Sequence, residues 1–217
     1  MLARFDAPPP AAFGPTGWTD ARWLHLALEA AKRAYAVRET HLADPDARTI
    51  RVDELLGSDR VAQLVAPIDA RGADPAPLPA RTLVGGTIYL APVDVDGNAV
   101  SLIQSNAAGF GSGVVDPVTG VHFQNRGASF SLDPGHPNAL APGRRTAHTL
   151  LPGMLFRAGE TRPWVVAGSM GGDIQPQVHA AFVSALVDAG ADVAATVAAP
   201  RVSVVPDDHL APPVAVH

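Results

Sequence analysis

One stretch decides how the rest of the chain is interpreted: Gly85-Gly86-Thr87-Ile88-Tyr89-Leu90-Ala91-Pro92-Val93-Asp94-Val95-Asp96-Gly97-Asn98-Ala99-Val100-Ser101. Two apolar runs flank an Asp-Gly turn, a pattern that predicts a β-hairpin with Thr87 at the start of its first strand. A structural role would also explain Thr87, because β-branched residues favour strands. The Gly85-Gly86 pair, however, gives a permissive backbone just before Thr87, and a proline-rich segment lies upstream. This layout is typical of a propeptide joined to a new N-terminal nucleophile.

The composition is that of a folded chain able to bury a core. Of its 217 residues, 47% are hydrophobic and 17% are charged. A net charge of −5 and the lack of a basic cluster argue against nucleic acid as a partner. The absence of cysteine excludes disulfides and thiolate metal sites. No run reaches the roughly 18 apolar residues of a membrane span and no signal-like apolar region is present, so we expect no membrane partner and a cytoplasmic location.

No metal or other cofactor is expected. The eight histidines show no metal-ligand spacing. The segment Asp94-Val95-Asp96-Gly97-Asn98 begins like a calcium loop, but its glycine comes too early and no glutamate closes it, so we interpret it as a turn.

Helices are predicted before the hairpin. Thr19 or Asp20 caps a helix whose apolar residues recur at three and four positions through Tyr35, and which ends before Asp44-Pro45-Asp46. We expect loop over 1–18, short helices over 53–56 and 59–65, and a proline-rich linker over 72–79.

Strands dominate after the linker, and helices return near the end. We expect strands over 87–93, 98–105, about 120–124, about 128–131 and 164–168. Gly171-Gly172 leads into a helix over about 175–189, which Gly190 ends. A short helix follows over 194–198, and 206–217 is expected to be irregular. The order of helix, strands and helix predicts an α+β fold.

From Thr87 onward the chain resembles the small subunit of γ-glutamyltranspeptidases, which are N-terminal-nucleophile hydrolases. The resemblance implies a four-layer αββα fold, incomplete in this chain. Residues 1–86 correspond to the end of a large-subunit-like region with its linker, and 87–217 to the small-subunit-like catalytic region. The matching blocks follow the family's order: Thr87 with 93–101, Gly109-Phe110-Gly111-Ser112-Gly113, Pro142-Gly143-Arg144-Arg145, Gly168-Ser169-Met170-Gly171-Gly172 and Ala199-Pro200-Arg201.

The resemblance implies autocatalytic cleavage between Gly86 and Thr87, with Thr87 as the nucleophile. A threonine hydroxyl is weak at neutral pH and needs a base. Cleavage frees an α-amine beside that hydroxyl, and its pKa of roughly 8 suits a general base. The products would be chains 1–86 and 87–217, which we expect to pair or to self-associate.

Three further residues take catalytic roles by the same resemblance. Ser105 occupies the position of a threonine that hydrogen-bonds the nucleophile, although a polar strand residue is the simpler interpretation. Gly171 and Gly172 match the oxyanion-hole pair, whose N–H groups point at the tetrahedral intermediate. The alternative interpretation of these two glycines is an ordinary loop that leads into a helix.

The substrate-binding positions depart from the family pattern. Ser129 stands where an acidic residue would hold the substrate's α-amine, and Arg126 replaces a glutamine. His148-Thr149 replaces a paired serine, and a family asparagine aligns with Ala107, next to Asn106. Because Arg126 would repel an ammonium group and attract an anion, we hypothesise an anionic acyl group such as oxamate or glutaryl. The pattern resembles a side branch of the family with cephalosporin-acylase-like and oxamate-amidohydrolase-like members.

Two functions remain open from the sequence. The first is an autoprocessed amidohydrolase or acyltransferase that cleaves a γ-glutamyl or related anionic acyl amide, a small molecule, through an acyl-enzyme on Thr87. The second is a truncated, non-catalytic homologue or pseudoenzyme that acts only as a binding or structural protein. Cleavage between Gly86 and Thr87 distinguishes them, because only the first requires it.

Overall fold

The computed structural model describes residues 10–13, 16–47, 50–75 and 86–204. Within these ranges the chain forms α-helices and two separate antiparallel strand pairs, which confirms the α+β class. The helices are α1 (Ala21–His41), α2 (Val52–Leu55), α3 (Ser58–Val65), α4 (Gln175–Val183) and α5 (Val193–Ala198). The strands are β1 (Thr87–Leu90), β2 (Leu102–Ser105), β3 (Gly153–Phe156) and β4 (Pro163–Ala167).

Helix α1 is the longest element and begins at the predicted cap. The Asp20 side chain accepts a hydrogen bond from the backbone N–H of Arg22, which satisfies one of the unpaired donors of the first turn. Its apolar face buries Trp23, Leu26 and Ala30. The helix ends before Asp44-Pro45, and α2 and α3 follow as predicted; the expected loop upstream contains short 3₁₀ turns at Pro10–Phe13 and Gly17–Thr19.

The predicted hairpin is present, with shorter strands than expected. β1 pairs with β2 so that Thr87 lies opposite Ser105, and a single bridge between Val93 and Ala99 continues the pairing. The segment between 94 and 98 is a turn, in which Asp94 Oδ1 accepts backbone N–H bonds from 96 and 98. Thr87 and Tyr89 share the more buried face of β1, because side chains alternate along a strand.

Two predicted strands are wrong. The 120–124 region forms only an isolated bridge, between Val115 and His122. The 128–131 region is largely a 3₁₀ turn, Arg126–Ser129, followed by a single bridge at Ser131. The turn forms because side chains bind its backbone: Gln124 Oε1 accepts from the Arg126 N–H, and Asn138 Nδ2 donates to the Ser129 carbonyl. Such local bonds compete with strand pairing.

The second strand pair was predicted in part. β4 confirms the strand expected over 164–168, and its partner β3 was not predicted. The helix expected over about 175–189 is confirmed as α4, which continues into a π-helical turn, Ser184–Asp188. Gly190 follows with a φ of +67°, as a helix-ending glycine does.

Several predictions lie outside the described residues, namely the end of the proline-rich linker from 76 to 79, Gly85, and the irregular segment 206–217. Among the described residues, no helix combines the length and apolar character needed to cross a membrane.

Candidate active site

Thr87 and Ser105 face each other across the hairpin. Thr87 Oγ1 donates a hydrogen bond to Ser105 Oγ at 3.0 Å. Ser105 Oγ lies 3.4 Å from the carbonyl oxygen of Gly86, to which it donates, and accepts from the N–H of Ala107 at 3.0 Å. Ser105 therefore connects the Thr87 hydroxyl to the carbonyl of the Gly86–Thr87 peptide bond.

The loop after β2 holds Ser105 through an unusual backbone. Ala107 is buried with a φ of +73°, a conformation that non-glycine residues adopt at an energetic cost. Asn125 holds this loop: its Oδ1 accepts from the Ala108 N–H at 2.9 Å, and its Nδ2 donates to the Ala108 and Gly111 carbonyls at 3.1 and 3.0 Å. Its backbone N–H donates to the carbonyl of Asn106 at 3.1 Å. Asn106 thus lies beside Ser105, fixed through its main chain.

Gly171 and Gly172 form a turn at the entrance to α4. Their φ angles are +126° and +55°, and a Cβ on Gly171 would lie 2.7 Å from Cγ1 of Ile174. The Gly171 carbonyl accepts from the Ile174 N–H at 3.1 Å, which closes the turn. In the described part of the chain, no acceptor binds the N–H of Gly171 or Gly172. Two backbone donors are therefore available to a ligand.

Tyr89 brings the segment after β4 to the face of β1 that carries Thr87. A Cβ at Gly168 would lie 2.5 Å from Cδ2 of Tyr89, so the aromatic ring packs directly on the glycine backbone. The Tyr89 hydroxyl also pairs with Ser101 Oγ at 2.9 Å. Because Tyr89 and Thr87 lie on the same strand face, the start of the glycine-rich segment is on the same side of the hairpin as Thr87.

Arg126, Thr149 and His148 form a second group. The Arg126 side chain is buried, with 8% of the residue exposed, and its Nη1 donates to Thr149 Oγ1 at 3.2 Å. Burial lowers the pKa of Arg126, and the charge of Asp173 opposes this shift. Partial desolvation, and then the charge of Arg126, lower the pKa of His148. His148 Nδ1 accepts the Leu150 N–H at 3.2 Å, a bond that, like the lowered pKa, favours the neutral imidazole.

Asn138 positions this second group, and sequence reasoning did not identify it. The residue is 2% exposed. Its Nδ2 donates to the Ser129 carbonyl at 2.7 Å, and its Oδ1 accepts from the Ala147 N–H at 3.0 Å. Asn138 therefore joins the turn of Arg126 and Ser129 to the segment that leads to His148. Asn125 was likewise missed, because an asparagine in a polar loop carries no pattern that reveals its distant partners.

The predicted side chains thus form two clusters. Thr87, Ser105 and Asn106 belong to the hairpin cluster, whereas Arg126, Ser129, His148 and Thr149 belong to the other. Asp173, next to Gly172, interacts electrostatically with Arg126. In the described ranges, no group of three or more histidine, aspartate or glutamate residues is arranged to hold a metal ion.

Comparison with known proteins identifies the family. The γ-glutamyltranspeptidase family model matches residues 4–210. The chain belongs to the γ-glutamyltranspeptidase family. The resemblance of the sequence blocks is therefore confirmed.

Two curated relatives are named as proenzymes, one of a hydrolase and one of a hydrolase-like protein. The chain is 43% identical over 182 residues to the oxamate amidohydrolase proenzyme of Klebsiella pneumoniae, covering 84% of this chain and 34% of the relative. It is 38% identical over 179 residues to the glutathione hydrolase-like YwrD proenzyme of Bacillus subtilis, covering 82% of this chain and 33% of that relative. The chain therefore spans about a third of the length of these relatives.

A solved structure confirms the fold. The cephalosporin acylase of Bacillus halodurans superposes with a TM-score of 0.73 at 39% identity, covering 84% of this chain and 33% of the acylase. The chain thus has the N-terminal-nucleophile hydrolase fold of the γ-glutamyltranspeptidase family, in a portion equivalent to a third of that acylase.

Proposed function

We propose that this member of the γ-glutamyltranspeptidase family is an amidohydrolase or acyltransferase that activates itself by cleaving the Gly86–Thr87 bond. The observation that carries the proposal is the hydrogen-bond chain from the Thr87 hydroxyl through Ser105 Oγ to the Gly86 carbonyl. The nucleophile, a proton acceptor and the bond to be cut are adjacent in one hairpin. The hydrolases and acylases among its relatives support the proposal, whereas no finding favours a non-catalytic role.

The self-cleavage step uses groups that are already in contact. Thr87 Oγ1 attacks the carbonyl carbon of Gly86, the peptide C–N bond breaks, and the proton moves to the Thr87 nitrogen, which gives an ester and an α-amine. Ser105 donates to the carbonyl oxygen, where negative charge develops. Water then hydrolyses the ester, which frees the carboxylate of Gly86 at the end of chain 1–86 and leaves Thr87 as a new N-terminus.

The mature site would use Thr87 as both nucleophile and base. Its α-amine takes the hydroxyl proton while Oγ1 attacks the amide carbonyl of the substrate. The unoccupied N–H groups of Gly171 and Gly172 would stabilise the oxyanion, because glycine lets the backbone approach closely. The amine leaves with a proton, and water or an acceptor amine resolves the acyl ester on Thr87.

The second cluster favours an acyl group that carries a carboxylate. Arg126 is buried, and its guanidinium donates to the neutral acceptor Thr149. The lowered pKa of His148 favours its neutral imidazole, so Arg126 supplies the positive charge of the cluster. Ser129, in the family's acidic position, offers no charge to a substrate ammonium. Oxamate, the substrate in the name of one relative, fits this chemistry better than a γ-glutamyl group, whose α-amine needs an acid.

Steady-state kinetics of three proteins test the proposed substrate class. Oxamate and glutathione are supplied separately to wild type, Arg126→Ala and the exposed-arginine control Arg144→Ala, and ammonia or glutamate release is measured. Arg126→Ala should raise the KM for oxamate by about 10- to 100-fold, the worth of one charge-assisted bond to a carboxylate. Arg144→Ala should match wild type. Unchanged oxamate kinetics in Arg126→Ala would refute the anionic-acyl assignment while leaving Thr87 chemistry intact.

A further inference from the structure

The turn that carries Gly171 and Gly172 is attached to helix α1 through Asp173. Arg38 Nη1 donates to Asp173 Oδ1 at 2.8 Å, and the Tyr35 hydroxyl donates to the Asp173 carbonyl oxygen. The Arg38 and Asp173 side chains are 18% and 16% exposed, so water screens the pair only in part. One helix therefore binds both the side chain and the main chain of Asp173.

The two α1 side chains are themselves held in place. The Arg38 guanidinium lies over the Tyr35 ring, 4.6 Å from its centroid. It also binds Glu39 Oε1 through Nε and Nη2, at 3.0 and 2.7 Å. Gln177 Nε2, from α4, donates to the Tyr35 hydroxyl at 3.0 Å. This arrangement restricts both groups to the geometry that contacts Asp173.

Fixing Asp173 fixes the direction of the two glycine N–H groups. Asp173 is the central residue of the 3₁₀ turn Gly172–Ile174, which the Gly171 carbonyl closes by accepting the Ile174 N–H. Both glycines have positive φ angles and little intrinsic preference for this conformation. The attachment of Asp173 to α1 therefore adds to the turn's own hydrogen bonds in holding this conformation.

We propose that Tyr35 and Arg38 are positioning residues for the oxyanion turn and act through Asp173. This inference rests on the proposed function, in which Gly171 and Gly172 bind the oxyanion. It assigns a role to the upstream fragment that self-cleavage produces: fragment 1–86 is a working part of the enzyme, because α1 orients donors that belong to fragment 87–217.

Kinetics of the processed protein with oxamate form the first test. Tyr35→Phe removes only the hydroxyl, and Arg38→Ala removes the ion pair. Each should lower kcat by about 10-fold or more, because misplacing a transition-state donor impairs the chemical step. KM should stay within about twofold, since Arg126 still binds the substrate. Arg38→Lys, which keeps the charge, should recover part of the loss. The matched control is Arg33→Ala on the same helix, whose ion pair with Asp74 does not involve Asp173.

Amide hydrogen exchange supplies a second test that needs no activity. In full-length Thr87→Ala protein, the Ile174 and Gln175 N–H groups report on the turn, because they donate to the Gly171 and Gly172 carbonyls. Tyr35→Phe or Arg38→Ala, introduced into that protein, should accelerate exchange at these two amides and leave β1 and β2 unchanged.

The two measurements separate the inference from the function on which it rests. A wild-type protein that neither cleaves itself nor turns over oxamate contradicts the proposed function, and the exchange test still decides the inference. Unchanged exchange at Ile174 and Gln175 in both variants would overturn it. The inference would also be overturned if Tyr35→Phe and Arg38→Ala were active and differed from wild type only in KM.

Discussion

At the residue scale, Ser105 is the group on which the proposed self-cleavage depends. It contacts the Thr87 hydroxyl, the Gly86 carbonyl and the N–H of Ala107 at once. The hairpin register accounts for the first contact, since it places Thr87 opposite Ser105. A sequence pattern is able to predict this pairing because both strands and their turn are local. The side-chain hydrogen bonds of Asn125 and Asn138 join loops that are distant in the sequence, and no local pattern encodes such contacts.

Removing the Ser105 hydroxyl should slow self-cleavage. Ser105→Ala leaves the developing charge on the Gly86 oxygen without this donor, and we expect a rate about 100-fold lower, the typical effect of losing one such donor. Ser105→Thr keeps the hydroxyl and should cleave. The fraction cleaved over time is measured by denaturing gel, with Ser101→Ala, whose hydroxyl pairs with Tyr89, as the control. A rate in Ser105→Ala equal to that of the control would exclude the role.

At the element scale, close packing brings the segment after β4 to the hairpin. The Tyr89 ring occupies the space where any side chain at 168 would begin. The sequence predicted β4 and the helix after Gly172, because alternation and helical period are properties of short segments. It did not predict β3, since Gly153–Phe156 becomes a strand only by pairing with β4. The strand expected over 128–131 does not form, because Asn138, a residue outside that segment, donates a hydrogen bond to the Ser129 carbonyl.

Filling the space beside Tyr89 should destabilise the protein. Gly168→Ala forces the ring or the backbone to move, and we expect a loss of about 1–3 kcal/mol in the free energy of unfolding, as for overpacking in a core. Gly127→Ala is the matched control, because a Cβ there meets no atom within 4 Å; it should change stability by no more than about 0.5 kcal/mol. Urea denaturation measures both. Equal stability of the two variants would show that the contact at Gly168 is not tight.

The Asp44 carboxylate should make stability depend on pH below about 4. Backbone N–H bonds from Arg145 and Asp46, and then the Arg145 side chain, lower the pKa of Asp44. A lowered folded-state pKa contributes stability that is fully present above the unfolded value, near 4, and disappears as pH falls through the folded value. The stability difference between wild type and Asp44→Asn should thus be constant from pH 5 to 7 and shrink towards pH 3. Urea midpoints measured across that range would contradict this if the difference did not change.

At the scale of the whole molecule, contacts cross the bond that is proposed to break. Tyr35 and Arg38 bind Asp173, and Asp44 binds the N–H of Arg145 at 2.7 Å. Each pair joins the segment before Gly86 to the segment after it, so cleavage would leave two chains that remain associated. The family was predictable from ordered sequence blocks, and the α+β class from the order of helix, strands and helix. The contacts between the two segments were not, because they depend on the three-dimensional approach of α1 to the turn before α4.

The intact mass of the purified chain in denaturing solution tests the central claim most directly. We predict two species for wild type, with the masses of 1–86 and 87–217, and a single full-length species for Thr87→Ala. Thr87→Ser, which keeps a hydroxyl, should also give two species. Cleavage between Gly86 and Thr87 that persists in Thr87→Ala, or a wild-type chain that stays whole over days, would contradict the account.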